Sequence, residues 1–420
     1  MTRITQKLLT PFFIRGTRIV MLALFLVVFG TSAAFAQTKG YVTNFLGNTV
    51  SVIDTAINTV IATVPVGIAP VGAAVTPNGA FAYVSNGGDD TVSVISTATD
   101  TVVATIPVGA FPAIMDITPD GVFVYVVNAD DDSVSVIATA TNTVTATIPV
   151  GVQPQAVAIT PNGARAYVTD GFSDEVSVID TATNTVVTTI PGILIPVWVA
   201  ITPDGAFAYV TSIAGDTITV IDTASNTIFA TIPGGGRLPT GVAITPNGSF
   251  AYVATGFGPV LVIDTATNTV VATVSIGGAG VTINSDGAFA YVANQANNTV
   301  SVIDTATNTV TATIPVGAAP FGVALQKTQS PQDQIAALIA QVQALIGGGV
   351  LTQDQGAGLI DKLKQSLAKL DMGQTGAACN QLSSFINQVN ALISNGSLTQ
   401  SQGQALINAA NAIRTNLGCS

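Results

Sequence analysis

A repeat of about 42 residues constrains the fold of this chain more than any other feature. Its aromatic motif occurs seven times, and the spacing between copies is 42 residues four times in a row, then 43, then 39. A fixed period of this size is typical of solenoids, propellers and repeat arrays. The copies are "YVTN" (41–44), "YVSN" (83–86), "YVVN" (125–128), "YVTD" (167–170), "YVTS" (209–212), "YVAT" (252–255) and "YVAN" (291–294).

Each repeat contains four short β-strand patterns. In the second repeat these are "GAAVT" (72–76), "FAYVS" (81–85), "TVSVIS" (91–96) and "TVVATIPV" (101–108), separated by turn-forming residues. Four strands and three turns form one antiparallel meander, which matches the blade of a β-propeller. Both alternating sets of side chains are apolar or small and uncharged, as expected where neighbouring blades cover both faces of a blade.

The two ends of the repeat region complement each other. "GYVTN" (40–44) is a second strand with no first strand before it, and "FGVAL" (321–325) is a first strand with no successor. We therefore predict an all-β, seven-bladed β-propeller over 37–326, in which the C-terminal strand completes the N-terminal blade. Closure of this kind removes the open sheet edges.

The first 36 residues indicate export. Basic residues precede the apolar run "IVMLALFLVVF" (19–29), and Ala34-Phe35-Ala36 gives the small-x-small pattern of a cleavage site before Gln37. We predict a signal peptide over 1–36 and no transmembrane segment in the mature chain. The predicted location is extracellular, cell-surface or periplasmic.

Charge and composition exclude several classes of function. Residues 37–326 hold three basic residues against 19 acidic ones, whereas 327–420 hold five basic and four acidic. Such a repeat region cannot neutralise phosphates, so no nucleic-acid partner is expected. The chain has no His, which is the commonest metal ligand and general base. No cofactor is predicted to be required, and Ca²⁺ is the one candidate ion.

The C-terminal part has a helical pattern and an internal duplication. After a linker over 327–332, we predict a domain of two helical hairpins over 333–420, because 340–360 matches 387–407 at an offset of 47. Thr352 and Thr399 each precede a Gln by three residues, which is a capping-box arrangement. The predicted helices span about 331–346, 353–371, 376–394 and 400–417, and form a four-helix bundle.

The two cysteines lie at neighbouring ends of one predicted hairpin. Cys379 is at the start of the third helix and Cys419 at the end of the fourth. In an exported protein this pair is expected to form a disulfide. Two free thiols or a metal site are the alternatives.

Several motifs resemble known families. "YVTN", "NTVSVID", "TNTVTATIPVG" and "ITPNG" resemble the YVTN β-propeller repeat proteins of bacterial and archaeal surfaces, including surface-layer-like proteins. The resemblance covers about 40–326 and implies an exported propeller used for binding or as a structural module. "AACNQL", "FINQV" and "NLGC" resemble a small helical domain of secreted bacterial proteins, which implies an accessory or attachment module.

The loops between second and third strands are acidic in four consecutive repeats. If the innermost strand of each blade comes first, these loops share one face with the links between blades. Their carboxylates predict a Ca²⁺ site. The alternative is that Asp90, Asp132, Asp174 and Asp216 occupy one repeated turn position and keep a charge-poor surface soluble. The acidic residues are Asp89, Asp90, Asp130, Asp131, Asp132, Asp174, Glu175 and Asp216.

Two residues of the innermost strands depart from the repeat. Trp198 stands where other repeats have mainly Gly, Ala or Ile, and Asp116 stands where they have Ala or Thr. We predict both as ligand-binding residues, with Trp198 as an aromatic platform at the mouth of the channel. The alternatives are a Trp that fills space between blades and a buried carboxylate that needs partners.

These observations support three hypotheses of function. The leading one is an exported, non-catalytic scaffold that binds a cell-surface or extracellular protein or glycan through the loops of one propeller face. The second is a Ca²⁺-dependent lactonase or hydrolase that uses the acidic face. The third is a structural protein of a surface lattice. The oligomeric state is left open by the sequence.

Overall fold

The computed structural model describes residues 38–256, 258–327 and 330–419, so the predicted signal peptide lies outside the described residues. From Lys39 to Leu325 the described chain forms seven antiparallel sheets of four strands each. The four helices follow in the order predicted. The predicted seven-bladed propeller with a helical C-terminal part is confirmed.

The strands follow one another in chain order, with the innermost strand of each blade first in blades 2 to 7. Blade 1 contains β1 (Lys39–Asn44), β2 (Thr49–Asp54) and β3 (Thr59–Pro65), blade 2 contains β4 (Pro70–Val75), β5 (Phe81–Asn86), β6 (Thr91–Ser96) and β7 (Thr101–Pro107), and blade 3 contains β8 (Pro112–Ile117), β9 (Phe123–Asn128), β10 (Ser133–Ala138) and β11 (Thr143–Pro149). Blade 4 contains β12 (Pro154–Ile159), β13 (Arg165–Asp170), β14 (Glu175–Asp180) and β15 (Thr185–Pro191), and blade 5 contains β16 (Pro196–Ile201), β17 (Phe207–Ser212), β18 (Thr217–Asp222) and β19 (Thr227–Pro233). Blade 6 contains β20 (Pro239–Ile244), β21 (Phe250–Thr255), β22 (Val260–Asp264) and β23 (Thr269–Val274), blade 7 contains β24 (Val281–Ile283), β25 (Phe289–Asn294), β26 (Thr299–Asp304) and β27 (Thr309–Pro315), and β28 (Pro320–Leu325) returns to blade 1.

The last strand closes the ring. β28 pairs antiparallel with β1, so blade 1 has the strand order β28-β1-β2-β3. The Gly322 N–H donates to Thr43 Oγ1 at 2.8 Å, and the Gln326 N–H donates to the Lys39 carbonyl at 2.8 Å. The closure predicted from the out-of-phase ends is therefore confirmed.

In blades 2 to 6, a tyrosine of the second strand joins its blade to the following one. The Tyr125 ring is buried, and its hydroxyl donates to Asn184 Oδ1 of blade 4 at 2.6 Å. Asn184 has a φ of 54°, in the left-handed region that Asn tolerates better than most residues. This explains why the repeat contains both the Tyr of "YV" and the Asn of "TNT". The same bond joins Tyr83 to Asn142, Tyr167 to Asn226, Tyr209 to Asn268 and Tyr252 to Asn308.

Each second strand ends in a buried polar residue, which is Asn in blades 1, 2, 3 and 7, Asp in blade 4, Ser in blade 5 and Thr in blade 6. In blade 3 the Asn128 amide nitrogen donates to Ser135 Oγ at 2.9 Å. In blade 4 Asp170 stands there, fully buried, and its Oδ2 accepts from Ser177 Oγ at 2.6 Å. Burial, together with the nearby Glu175 carboxylate, raises the pKa of Asp170 to about 7 against the lowering effect of the hydrogen bonds from Ser177 and Gly151.

The C-terminal helices form a bundle with its own core. They are α1 (Pro331–Gly347), α2 (Gln353–Asp371), α3 (Thr375–Ser394) and α4 (Gln400–Asn416). Thr352 and Thr399 cap α2 and α4 through complete capping boxes, as predicted. Buried residues spaced three or four apart face one another, including Leu338, Leu363 and Phe385. Within the described part of the chain, no helix is long and apolar enough to cross a membrane.

The predicted disulfide is confirmed. Cys379 in the first turns of α3 and Cys419 just after α4 are bonded to each other, with a sequence separation of 40 residues. Among the described residues no cysteine is free. The bond closes the second hairpin, whereas the duplicated positions of the first hairpin hold no cysteines.

Removing the disulfide is expected to destabilise the helical bundle by about 4 kcal/mol, because a 40-residue loop then regains its freedom in the unfolded state. The measurement is urea unfolding followed by the helical signal at 222 nm, with and without a reductant. The double variant Cys379→Ser and Cys419→Ser is the control, since it should unfold like the reduced protein. Equal midpoints for oxidised and reduced protein would contradict the prediction.

Replacing Asp170 by Asn is expected to stabilise the propeller at neutral and alkaline pH. The folded-state pKa is raised above that of an unfolded Asp, so the wild type loses stability as the pH rises from about 4 to about 7. Asn cannot ionise, and it is the residue at the equivalent position of blades 1, 2, 3 and 7. We expect Asp170→Asn to gain roughly 2–4 kcal/mol at pH 8 and little at pH 4.

The measurement for Asp170 is the free energy of unfolding in urea as a function of pH. Asn128→Asp is the matched reverse variant, and it should lose stability over the same pH range. A gain in Asp170→Asn that does not change with pH would show that ionisation is not the cause.

Candidate functional site

One face of the propeller carries the loops between second and third strands together with the links between blades. In blades 2 to 7 the first strand is innermost, so these two sets of segments lie at the same end of every blade. The face is the one that the sequence predicted for binding. Its centre holds the larger of the two cavities described below.

An open cavity of about 950 Å³ lies on this face, and we call it the funnel. Its walls come from several blades: Phe45 in blade 1, Phe111 and Ile114 in blade 3, Trp198 in blade 5, and Phe321 in the closing strand β28. The described residues of its lining include no Asp, Glu, Lys, Arg, Cys or Tyr. The lining also contains uncharged polar residues, namely Gln155, Thr240, Asn294, Gln295 and Asn297. A mostly apolar cavity of this volume with a few polar groups is typical of a ligand-binding site.

A smaller cavity of about 300 Å³ continues along the axis of the propeller, and we call it the channel. Trp198 and Ile114 line both the funnel and the channel, so they lie where the two meet. The Trp198 ring is partly buried and stacks on Phe321, with ring centroids 6.4 Å apart and planes 28° apart. The tryptophan predicted at the channel mouth is placed there, and its role as a ligand platform stays a prediction.

Asp116 lines the channel rather than the funnel. Its two carboxylate oxygens accept backbone N–H groups, Oδ1 from Ile117 and Oδ2 from Ile159 of the next blade, each at 2.8 Å. Burial raises the pKa of Asp116 to about 6, against the lowering effect of these hydrogen bonds and of the Lys327 charge. The contacts favour the structural alternative, a carboxylate that joins blades 3 and 4.

The aspartate that recurs at one position of these loops stabilises the link that leads from its own blade to the next. Asp90 Oδ1 accepts the N–H of Phe111 at 2.9 Å, and Asp132 Oδ1 accepts that of Gln153 at 2.8 Å. Asp174 and Asp216 accept N–H groups from Ile195 and Arg237 in the same way. All four have a positive φ, between 48° and 56°. Asn48 and Asn298 occupy equivalent positions in blades 1 and 7 and make the same bond to Ala69 and Ala319.

The neighbouring acidic residues do not meet at one centre. Asp89 Oδ2 accepts the Ile68 N–H and Asp131 Oδ2 accepts the Ala110 N–H, each at 2.6 Å. Asp130 is exposed and Glu175 partly buried on the loops of blades 3 and 4. No group of three or more acidic, Cys or His side chains in the described residues is placed to hold a metal ion. The geometry supports the turn-stabilising alternative, and the Ca²⁺ site stays a prediction.

The aromatic residues of the funnel were not predicted. Phe45, Phe111 and Phe321 come from segments far apart in sequence, and the ring brings them together. Two of them could have been found by comparing equivalent positions of the repeats, because a Phe stands where other repeats have a smaller or polar residue. Phe111 precedes the strand proline where other repeats have Ala69 or Gln153, and Phe321 follows that proline where blade 2 has Val71.

Four family models match the chain over ranges that partly overlap, each over less than half of it. Residues 117–252 match the YNCE-like beta-propeller, and 37–148 match the lactonase family with a 7-bladed beta-propeller. Residues 201–343 match the Cytochrome D1 heme domain, and 335–415 match the FIMAH domain. No curated protein sequence matches the chain.

Several solved structures are similar to the propeller. The hydrazine synthase of Kuenenia stuttgartiensis is 27% identical over 63% of this chain and 92% of its own, with a TM-score of 0.58. A functionally unknown protein from Desulfotomaculum acetoxidans is 21% identical over 69% of this chain and 99% of its own, with a TM-score of 0.64. The dihydro-heme d1 dehydrogenase NirN, in complex with DHE, is 16% identical over 70% of this chain and 76% of its own, with a TM-score of 0.54. The last two likenesses show the fold alone.

Proposed function

We propose that this chain is an exported, non-catalytic binding protein whose funnel receives part of an extracellular or cell-surface protein or glycan. The observation that carries the proposal is the lining of the funnel. It is mostly aromatic and apolar over several blades, its polar residues are uncharged, and its described residues include no carboxylate, amine or thiol. Such a lining provides stacking and desolvation for a ligand but no general acid, base or thiolate nucleophile.

Export is supported by the chemistry of the cysteines. The Cys379–Cys419 disulfide persists in oxidising compartments and is rare in a reducing cytosol. The predicted signal peptide agrees with this. The outer strands expose apolar side chains, for example Phe229, which is 59% exposed. The excess of acidic residues over 37–326 gives the propeller a net negative charge that favours solubility despite these side chains.

An enzymatic function is the second candidate, because the lactonase family model and the hydrazine synthase structure are named for enzymes. A Ca²⁺-dependent hydrolase would need several carboxylates around one ion. In this chain Asp90 and Asp132 each bind a backbone N–H of a different loop. The acidic residues are therefore engaged separately, which favours binding over hydrolysis.

A heme-binding function does not fit the residues present. The matched Cytochrome D1 heme domain is the reason to consider a tetrapyrrole in the funnel. Protein ligands of heme iron are His, Cys, Met or Tyr. The chain has no His, both cysteines are in the disulfide, and none of the described lining residues of the funnel is Met or Tyr.

Binding in the funnel is expected to change the fluorescence of Trp198, the single tryptophan of the chain. The probes are apolar dodecapeptides and chito-oligosaccharides, titrated into the purified mature protein. Phe111→Ala and Phe321→Val should each weaken the affinity by about five- to tenfold, since each removes an aromatic contact worth about 1 kcal/mol or more. Both variants introduce a residue that another blade already has at the same position.

Phe229→Ala is the control for this titration, because Phe229 lies on the outer strand β19 and packs on Phe207, away from the funnel lining. It should bind like the wild type. If the Phe111 and Phe321 variants bind as tightly as the wild type, the funnel is not the binding site.

Calcium is expected to leave the melting temperature unchanged. A specifically bound ion stabilises the folded state in proportion to ln(1 + [L]/Kd), so a site of useful affinity must raise the melting temperature at millimolar Ca²⁺. The measurement is thermal unfolding with Ca²⁺ or with EDTA. A rise that disappears in the double variant Asp90→Asn and Asp132→Asn would support the hydrolase instead.

A further inference from the structure

The loop that carries Phe111 is held by acidic side chains from the blades on both sides of it. The Phe111 N–H donates to Asp90 of blade 2, and the Ala110 N–H donates to Asp131 of blade 3. The Phe111 side chain itself lines the funnel. An apolar wall of the funnel is therefore bordered directly by carboxylates. We call the exposed residues Asp89, Asp90, Asp130, Asp131 and Asp132 the acidic rim.

The acidic rim has no basic partner within the described residues of the chain. The two ion pairs of the described structure are Lys39 with Asp100 at 2.8 Å and Arg165 with Asp180 at 2.6 Å. Asp100 lies in a turn between third and fourth strands and Asp180 directly precedes such a turn, and these turns are at the opposite end of the blades. In the loops and links of the funnel face, the sequence supplies a single basic residue, Arg237 in the link to blade 6.

The backbone hydrogen bonds of the rim leave its charge in place. A carboxylate has about four lone-pair directions, and Asp90 and Asp131 each use one side-chain bond to orient a loop. Asn48 and Asn298 make the same bond as Asp90 with a neutral side chain, so the loop does not need the charge. The negative charge of blades 2 and 3 is thus available to a ligand.

We infer that the funnel binds a cationic segment of another protein, with a bulky apolar side chain inserted between Phe111, Trp198 and Phe321 and with Lys or Arg side chains on the acidic rim. This inference rests on the proposed function and assigns the chemistry of its ligand. The apolar side chain loses its contact with water in the funnel, where no charge has to be desolvated. The rim charges stay solvated, so they govern the association rate and the salt dependence.

The rim also separates this ligand from other classes. An anionic polysaccharide would meet five exposed carboxylates beside the funnel and would be repelled. A neutral glycan would stack on the aromatic residues and donate hydroxyl hydrogen bonds to the rim, but it would gain no charge–charge attraction there. A cationic segment gains from both features, which is why the two together favour it.

The first test is selection of a random dodecapeptide display library on the purified mature protein, with counter-selection on the variant carrying Phe111→Ala and Phe321→Val. We expect the retained sequences to combine Lys or Arg with Phe, Leu, Ile or Trp. A retained peptide without Trp is then titrated against Trp198 fluorescence. Its affinity should fall at least tenfold between about 50 and about 500 mM NaCl, because exposed charges are screened over a shorter distance at high salt.

The second test removes rim charge without removing the loop bonds. Asp90→Asn with Asp132→Asn keeps the acceptor oxygens, as Asn48 and Asn298 show. It should weaken the peptide about three- to tenfold at low salt and little at high salt. The matched control is Asp264→Asn with Asp304→Asn, which removes two charges from turns on the opposite face where each aspartate accepts a nearby N–H.

Four outcomes would overturn the inference. If peptides without Lys or Arg are retained equally well, or if the rim and control variants lose affinity equally, the rim does not select the ligand, although the funnel still binds. If no peptide is retained while neutral oligosaccharides change Trp198 fluorescence, the ligand class is wrong and the proposed function stands. If neither changes it, both fail.

Discussion

The hydrogen bond between a buried tyrosine and the asparagine of the next blade is the contact on which the ring depends. A single blade has apolar side chains on both faces, so it cannot be stable until neighbours cover it. The Tyr125–Asn184 bond fixes how the neighbour is placed, since a buried hydroxyl without a partner would be costly. Asn184 can accept it because the turn holds its backbone at a positive φ. The plain, uncharged repeat is therefore the part of the chain that builds the frame.

The funnel face varies while its backbone stays the same. Asp90, Asp132 and Asn48 use one side-chain oxygen in one way to hold the link that follows. Because this bond holds the link, one residue at its tip keeps a positive φ whether it is Ala, Gln, Ile or Phe. Binding residues are thus free to change without loss of the ring. This division places aromatic residues beside carboxylates, two neighbours that seldom coexist in a packed core.

The architecture was predictable from the sequence because it is periodic. An uncertain strand assignment in one copy of the repeat is resolved by the other six copies. The unmatched strands at the two ends of the repeat region required β28 to pair with β1. The second duplication located the helical hairpins and brought Cys379 to Cys419. The site was less predictable, because Phe45, Phe111 and Phe321 meet only after the ring has closed. The role of Asp90 was also hidden, since its partner lies 21 residues away in a loop that no local pattern connects to it. Trp198 and Asp116 were visible as departures from the repeat, but their surroundings were not.

The position of the closing strand has a consequence for how the protein is made. The bond from Gly322 to Thr43 joins residues 279 positions apart, so blade 1 stays incomplete until nearly the whole propeller has been synthesised and, in an exported chain, translocated. During that interval β1 presents a free edge of the kind that pairs readily with strands of other chains. A copy of β28 from a second molecule has the same sequence and would fit this edge as well as its own. A chain whose own β28 has not yet been made can therefore accept β28 from a second, complete molecule. The helical bundle that follows that β28 would then be placed beside the first molecule.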